Sequence, residues 1–137
     1  MPKVINTTQS DLAFDQPPAW AREAIWYQIF VERFYNGNQA NNPTPITSDN
    51  ALIDPLPDDW SLTDWGHNWY KQEPWAKKTG LDFYRTIQMR RYGGDLDGVL
   101  QKIAYLKDLG INAIYFNPIT DAPSLHKYDV RHYHHID

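Results

Sequence analysis

Two near-continuous apolar runs flank one amphipathic stretch, and this arrangement restricts the fold more than any other feature of the chain. The first run is Ala24-Ile25-Trp26-Tyr27-Gln28-Ile29-Phe30-Val31, and the second is Ile111-Asn112-Ala113-Ile114-Tyr115-Phe116-Asn117, ended by Pro118. Neither alternates polar and apolar residues, so both faces are expected to be covered, as in a buried parallel strand. Between them Gly93-Gly94-Asp95 opens a helix. Asp95 suits the N-cap, Asp97 the positive end of the helix dipole, and Val99, Leu100, Ile103, Leu106 and Leu109 share one face. Gly110 supplies a left-handed stop just before the second run. Strand, long loop, helix, short turn and strand make a βαβ unit, for which a right-handed crossover is expected.

The connection from Glu32 to Tyr92 has no sustained period and is rich in Asn, Pro, Asp and Trp. A stretch of that length without structure is unusual inside a domain and tends to be functional. A short helix fits within Ala76–Arg91. Residues 1–19, with Pro17-Pro18 near their end, read as an N-terminal arm, and 20–137 as the domain proper. The tail from Ile119 to Asp137 reads as a loop. Both long loops leave the C-terminal ends of strands, where parallel α/β folds bind ligands. A site built from residues 32–92 and 118–135 is therefore expected.

Charge and composition narrow the partners. A net charge of -4 leaves no basic stripe, which argues against nucleic acid. The absence of cysteine removes disulfides and thiolate chemistry. No apolar run of about 18 residues is present for a membrane span. No signal peptide is recognisable at Met1-Pro2-Lys3 and the polar residues after it, which leaves cytoplasmic and exported locations both open. Six Trp and nine Tyr among 137 residues suit a crowded core, a protein interface or a sugar cleft equally.

Four stretches in order resemble the α-amylase superfamily, glycoside hydrolase family 13. They are Ile25-Trp26-Tyr27-Gln28-Ile29-Phe30-Val31-Glu32-Arg33-Phe34, then Gly93-Gly94-Asp95-Leu96-Asp97-Gly98-Val99, then Leu106 through Pro118, and finally Ala122-Pro123-Ser124-Leu125-His126-Lys127-Tyr128-Asp129. The His-Lys-Tyr-Asp form of the last loop is similar to that of the cyclomaltodextrinase, neopullulanase and maltogenic amylase group. The resemblance implies the N-terminal part of a (β/α)8 TIM barrel: two strands, the first helix and the approach to a third unit. It also implies a retaining hydrolase acting on α-1,4 glucosidic bonds of starch-derived glucans, with α-1,6 bonds as the alternative.

Two sets of site residues follow from the resemblance. In relatives, an Asn/Asp-rich turn after the first strand joins a Gly-Gly-Asp to bind calcium, which maps onto Asn36, Asn38, Asn41, Asn42, Gly93 and Asp95. Amide, carbonyl and carboxylate oxygens suit that hard cation. The sequence departs from the pattern at Asn38 and Asn42, where relatives often carry Asp, so only Asp95 brings formal charge. The plain alternative is an Asn-rich turn capping its own backbone. The second set is Tyr128, which stacks on a glucose ring in relatives, and His126, which bonds its hydroxyls. The plain alternative there is a Tyr packed on the barrel beside a solvent-facing His.

Other features are set aside. His126, His132, His134 and His135 suggest zinc, but adjacent residues on an extended segment face opposite ways and no fourth ligand pattern exists. Trp60, Trp65, Trp69 and Trp75 are expected chiefly to pin the long loop, though one of them has room to line the cleft. Glu32, Asp58 and Asp59 are tempting as a glycosidase pair, yet the family's catalytic carboxylates lie on later strands. Glu32 and Arg33 are expected at the end of the first strand, with Arg33 in an internal ion pair. No catalytic residue is therefore expected here, and the segment alone is expected to be inactive. A two-stranded parallel sheet leaves open edges. The remainder of a barrel, about 250 residues in all, is expected to complete it. A non-catalytic amylase-like barrel or a small sugar-binding fragment are the alternatives.

Overall fold

The computed structural model describes residues 17–45 and 56–137. Most of the N-terminal arm, and the Asp54-Pro55 part of the long loop, lie outside the described residues. The elements run α1 (Ala19–Arg22), β1 (Trp26–Ile29), α2 (Pro74–Lys78), α3 (Phe83–Ile87), α4 (Leu96–Gln101), α5 (Ile103–Asp108), β2 (Ala113–Phe116), β3 (Thr120–Asp121) and β4 (His132–Ile136).

The expected parallel pair is present. β1 and β2 run parallel in a register that sets Trp26 against Ala113 and Ile29 against Phe116. Asn112 fastens the start of the pair: its side-chain oxygen accepts from Ile25 N–H at 2.7 Å and its amide donates to Glu23 C=O at 3.3 Å. Gln28 and Asn117 close the other end, amide to oxygen at 2.6 Å. Ile29, Val99 and Leu106 form the buried core between sheet and helices, with Tyr27, Phe34, Ile114 and Phe116 packed around them.

Four expectations need correction. The strands are covered on one face, not both: Ile29 is buried while Ile25, Trp26 and Tyr115 are exposed. The apolar stripe of the helix is likewise only partly used, with Val99 and Leu106 buried but Leu100 and Leu109 exposed. Two strands about 4.8 Å apart are too narrow a surface to cover a wide stripe. The helix itself divides at Lys102, whose N–H is shared between the carbonyls of Gly98 and Val99 at 3.2 and 3.0 Å, a local 3-10 tightening. Finally, the tail is not all loop, because β3 and β4 pair antiparallel across a bulge.

Gly98 sits where only a glycine fits, since a β-carbon there would stand 1.9 Å from the carbonyl oxygen of Tyr35. Gly110 ends α5 at φ 81°, the left-handed stop its position predicts.

The long connection has a core of its own. Trp60, Trp75, Ala76 and Met89 are buried together, with Leu56, Leu62 and Leu81 against them. Trp60 donates its indole N–H to Met89 C=O at 2.9 Å. Trp60 and Trp75 therefore make the interior of the loop rather than pinning it to the strands. A buried ion pair stiffens this lobe: Arg90 Nε lies 2.6 Å from Glu73 Oε1, with both side chains almost fully enclosed. α3 falls inside the 76–91 stretch where a short helix was expected.

Candidate functional site

The C-terminal end of β1 runs directly into a buried carboxylate. Glu32 accepts from the backbone N–H groups of Tyr92 and Gly93, the latter at 3.2 Å, and pairs with Arg33 Nε at 3.0 Å. Burial pushes its pKa up, against the pull of those N–H groups and of Arg33. The Arg33 guanidinium also lies 4.9 Å from the centre of the Tyr92 ring. Arg33 thus has the internal ion pair expected of it. Glu32 serves to draw residues 92–93 onto the end of the strand.

That junction delivers Gly93 to the Asn-rich turn. Gly93 has φ 76°, and a β-carbon on it would stand 2.8 Å from Asn36 Nδ2 and 2.9 Å from Asn42 Oδ1. Asn36 Nδ2 donates to Asn42 Oδ1 at 2.6 Å, while the other Asn36 side-chain atom, Oδ1, is buried without a hydrogen-bond partner. Asn36, Asn42 and Gly93 are therefore brought together.

The rest of the expected metal set is turned to other work. Asp95 caps α4 through Gly98 N–H at 2.5 Å and also accepts from Gly37 N–H at 3.1 Å and Asn38 N–H at 2.9 Å. Asn38 spends its side chain on Ala40 N–H at 3.1 Å and on Asp97 at 3.2 Å. Asn41 is exposed. Among the described residues no three His, Cys, Asp or Glu side chains converge as a metal cluster. His132 and His135 do meet edge to face at 4.7 Å across the bulged β4.

On the β2 side, residues 122–129 fold into a compact turn. Ser124 Oγ donates to Asp129 and lies 3.0 Å from His126 Nδ1. That hydroxyl holds the Asp129 carboxyl below its ordinary pKa. Tyr128 N–H also lies 3.2 Å from His126 Nδ1, which holds the ring against the turn. Between them Lys127 adopts φ 58°, and its ammonium is tied to Asp137. The result sets the His126 and Tyr128 rings 5.9 Å apart and tilted by 37°, with Tyr128 59% exposed. Sequence reasoning gave His126 and Tyr128 but passed over Ser124, whose two-residue spacing to His126 was the available signal.

A cavity of about 470 Å³ opens between the two loops, lined by Glu32, Gly93 and Asp95 on one side and Pro118, Ser124 and Lys127 on the other. Its size is that of a small-molecule site. His126 and Tyr128 do not line it. They stand outside on the exposed surface.

A βαβ unit with polar loops gathered at the C-terminal ends of parallel strands places the chain among α/β proteins that build ligand sites there. The sequence profile described as "Alpha amylase, catalytic domain" matches residues 28–137, and the chain belongs to that family. A maltogenic alpha-amylase of Bacillus acidopullulyticus is 40% identical over 123 residues, covering 89% of this chain and 15% of its own. A cyclomaltodextrinase of Thermoanaerobacter pseudethanolicus is 38% identical over 120 residues, covering 88% and 15%. Neopullulanase 2 of Thermoactinomyces vulgaris is 40% identical over 120 residues, again covering 88% and 15%. The chain thus spans 15% of the length of these relatives. Among solved structures, the ligand-free cyclic alpha-maltosyl-(1→6)-maltose hydrolase of Arthrobacter globiformis superposes with a TM-score of 0.58 at 28% identity, covering 88% of this chain and 20% of that one. The family's catalytic domain is a TIM barrel, and the described residues form one βαβ unit without a closed barrel.

Proposed function

We propose that these residues are one wall of the substrate cleft of a retaining glycoside hydrolase that cleaves α-1,4 glucosidic bonds in starch-derived glucans, with α-1,6 bonds the alternative target. The observation that carries this reading is the turn at 122–129, which presents an exposed Tyr128 face beside the His126 ring, 5.9 Å away. A phenol face matches the apolar C–H face of a glucose ring, and an imidazole bonds its hydroxyls. The relatives support the substrate class through their names alone: a maltogenic amylase, a cyclomaltodextrinase and a neopullulanase.

The chemistry itself is assigned to carboxylates outside these residues. A retaining glycosidase needs two carboxyls about 5 Å apart across the bond. The enclosed acids here are engaged elsewhere, Glu32 with Tyr92, Gly93 and Arg33, and Glu73 with Thr63 and Arg90. The 137 residues alone are therefore expected to cleave nothing, and the rest of the barrel is required.

The test is Tyr128→Ala in the full-length enzyme that carries this chain, assayed on maltotriose and a cyclodextrin. Stacking next to the reacting bond acts in the transition state, so kcat/KM should fall about tenfold or more, mostly in kcat. Unchanged kinetics would remove Tyr128 from the site.

The Asn-rich turn is read as a calcium clasp. The buried, unpartnered Asn36 Oδ1 fits a hard cation. Asn36, Asn42 and Gly93 would hold the ion, and Asn38, Asn41 and Asp95 are the remaining members of the expected set. The ion would supply structural cross-linking between the turn and the residues before α4. EDTA should then lower the melting temperature of the full-length protein and added calcium should restore it. A melt indifferent to both would favour the turn that caps itself.

A further inference from the structure

The lobe formed by residues 56–92 carries an aromatic surface that neither the Tyr128 turn nor the Asn-rich turn uses. Trp69 is 65% exposed and Tyr70 is 90% exposed, side by side on one turn. Trp65, half exposed on the same turn, lies with its ring 5.0 Å from that of Tyr92. Leaving such rings in water forgoes the burial that aromatic side chains normally gain. A flexible tip would let them fold back.

This tip is not free to do so. The guanidinium of Arg90 donates to the carbonyls of Trp69, at 2.9 Å, and of Lys71. Arg90 is in turn paired with Glu73, which also accepts from the Thr63 hydroxyl at 2.8 Å. His67 Nε2 lies 2.9 Å from Lys71 C=O, Asn68 Oδ1 accepts from Tyr70 N–H at 2.9 Å, and Asp64 Oδ1 from Gly66 N–H at 2.6 Å. A charged pair almost fully enclosed in a small lobe costs desolvation energy that an apolar pair would not. Here it fixes the backbone beneath the exposed rings.

We propose that the turn Asp64–Lys71 is a preorganised aromatic platform that binds a segment of α-glucan chain, separate from the subsite at Tyr128. The inference rests on the reading that the enzyme acts on α-glucans, and it adds a second contact for the same polymer. The composition of the turn selects the ligand class. Asp64-Trp65-Gly66-His67-Asn68-Trp69-Tyr70-Lys71 holds three aromatic residues and no aliphatic one, and its single Asp and single Lys balance in charge. Protein interfaces also use Trp and Tyr anchors, but seat them in a packed, desolvated centre, whereas the Trp69 and Tyr70 rings stand on a projecting turn with a polar rim. A neutral chain of pyranose rings offers flat C–H faces for Trp and Tyr and hydroxyls for the polar rim. The contact of Trp65 with Tyr92 links the platform to the C-terminal end of β1.

The test uses the full-length enzyme and the double variant Trp69→Ala/Tyr70→Ala, with Tyr128→Ala as the comparison. Affinity electrophoresis in gels containing amylopectin reads binding directly, and kinetics on maltotriose and on amylose separate short from long substrates. The expected result is that Trp69→Ala/Tyr70→Ala loses most of the retardation and about tenfold in kcat/KM on amylose, with maltotriose turnover and melting temperature unchanged. Tyr128→Ala should keep the retardation and lose turnover on both substrates. If the double variant migrates and cleaves amylose like the wild type, the platform is refuted. A wild type retarded by amylopectin, and released by the double substitution, yet unable to cleave any glucan, would refute the hydrolase reading while leaving the platform standing. Since both side chains are largely exposed, a fall in melting temperature would mean that they brace the lobe. Tyr70→Phe then decides the matter, since it keeps the stacking face: retained retardation supports the platform and lost retardation overturns it.

Discussion

Gly98→Ala is the substitution on which two physical arguments disagree in sign. Helix propensity alone says that alanine within α4 should stabilise the protein by about 1 kcal/mol. The structure says otherwise, because the new β-carbon would lie 1.9 Å from Tyr35 O and 2.7 Å from Tyr35 C. A carbon–oxygen contact needs about 3.3 Å, so α4 must retreat from the 35–38 segment by about 1.4 Å. Four side-chain hydrogen bonds cross that gap: Asp95 to Gly37 N–H, Asp95 to Asn38 N–H, Asn38 to Asp97, and Gln101 to Gly37 C=O. At roughly 0.5–1 kcal/mol net for each, their loss costs about 2–4 kcal/mol, and the propensity gain leaves about 1–3 kcal/mol of destabilisation. Gly110→Ala serves as the control: it meets no atom within 4 Å but keeps φ 81°, so it should cost about 1–2 kcal/mol from backbone strain alone. Calorimetric melts of the full-length protein should show Gly98→Ala several degrees below wild type and below Gly110→Ala. A Gly98→Ala protein that melts at or above the wild-type temperature would refute the close approach between α4 and the Asn-rich turn.

Two further outcomes follow from the buried charges. Glu73→Gln removes the partner of an almost fully enclosed Arg90 and should destabilise by about 3–5 kcal/mol, and the double variant Glu73→Leu/Arg90→Met should cost less than the single one; denaturant midpoints of all three proteins decide it. Burial raises the folded pKa of Glu32 above its ordinary 4.5, so its contribution to stability is present below that value and fades as pH rises through the folded pKa. Glu32→Gln should remove this downward slope, and parallel curves of melting temperature against pH for the two proteins would refute the assignment.

The parts of the fold legible in the sequence were those set by local chemistry. The Asp95 cap, the Gly110 stop and the paired apolar runs each rest on residues within one turn or one strand of one another, and each is present. The breadth of burial was not legible. Leu100, Leu109 and Trp26 carry the pattern of enclosed residues, yet what covers a face depends on neighbouring elements rather than on the run itself. The tryptophans were misjudged for a related reason. Their spacing follows no helical stripe, and only the contacts of Trp60 with Met89 and Trp75 reveal a separate core. At the candidate site, His126 and Tyr128 were found through the surrounding motif. Ser124 lay within two residues of His126 and was legible from that spacing, whereas Arg90 and Glu73 act through a pairing that no short window of sequence joins.

The second core gives the long connection a purpose that a disordered loop would not serve. Residues 92 and 93 leave the lobe directly after Met89 and Arg90, which its core and its ion pair fix. They arrive on the N–H acceptor Glu32 at the end of β1, and Gly93 comes to rest against Asn36 and Asn42. The lobe therefore sets the position of Gly93 against the Asn-rich turn, and its surface aromatic turn is anchored by the same Arg90 that precedes that junction. A floppy connection would have to order all of these residues at the moment of ligand binding, at about 1–2 kcal/mol for each backbone residue fixed. Folding the lobe around Trp60 and Trp75 meets that entropy cost before any ligand arrives. Loss of the Trp60–Trp75 core should on this argument loosen the Asn-rich turn as well as the lobe, even though neither ring touches it.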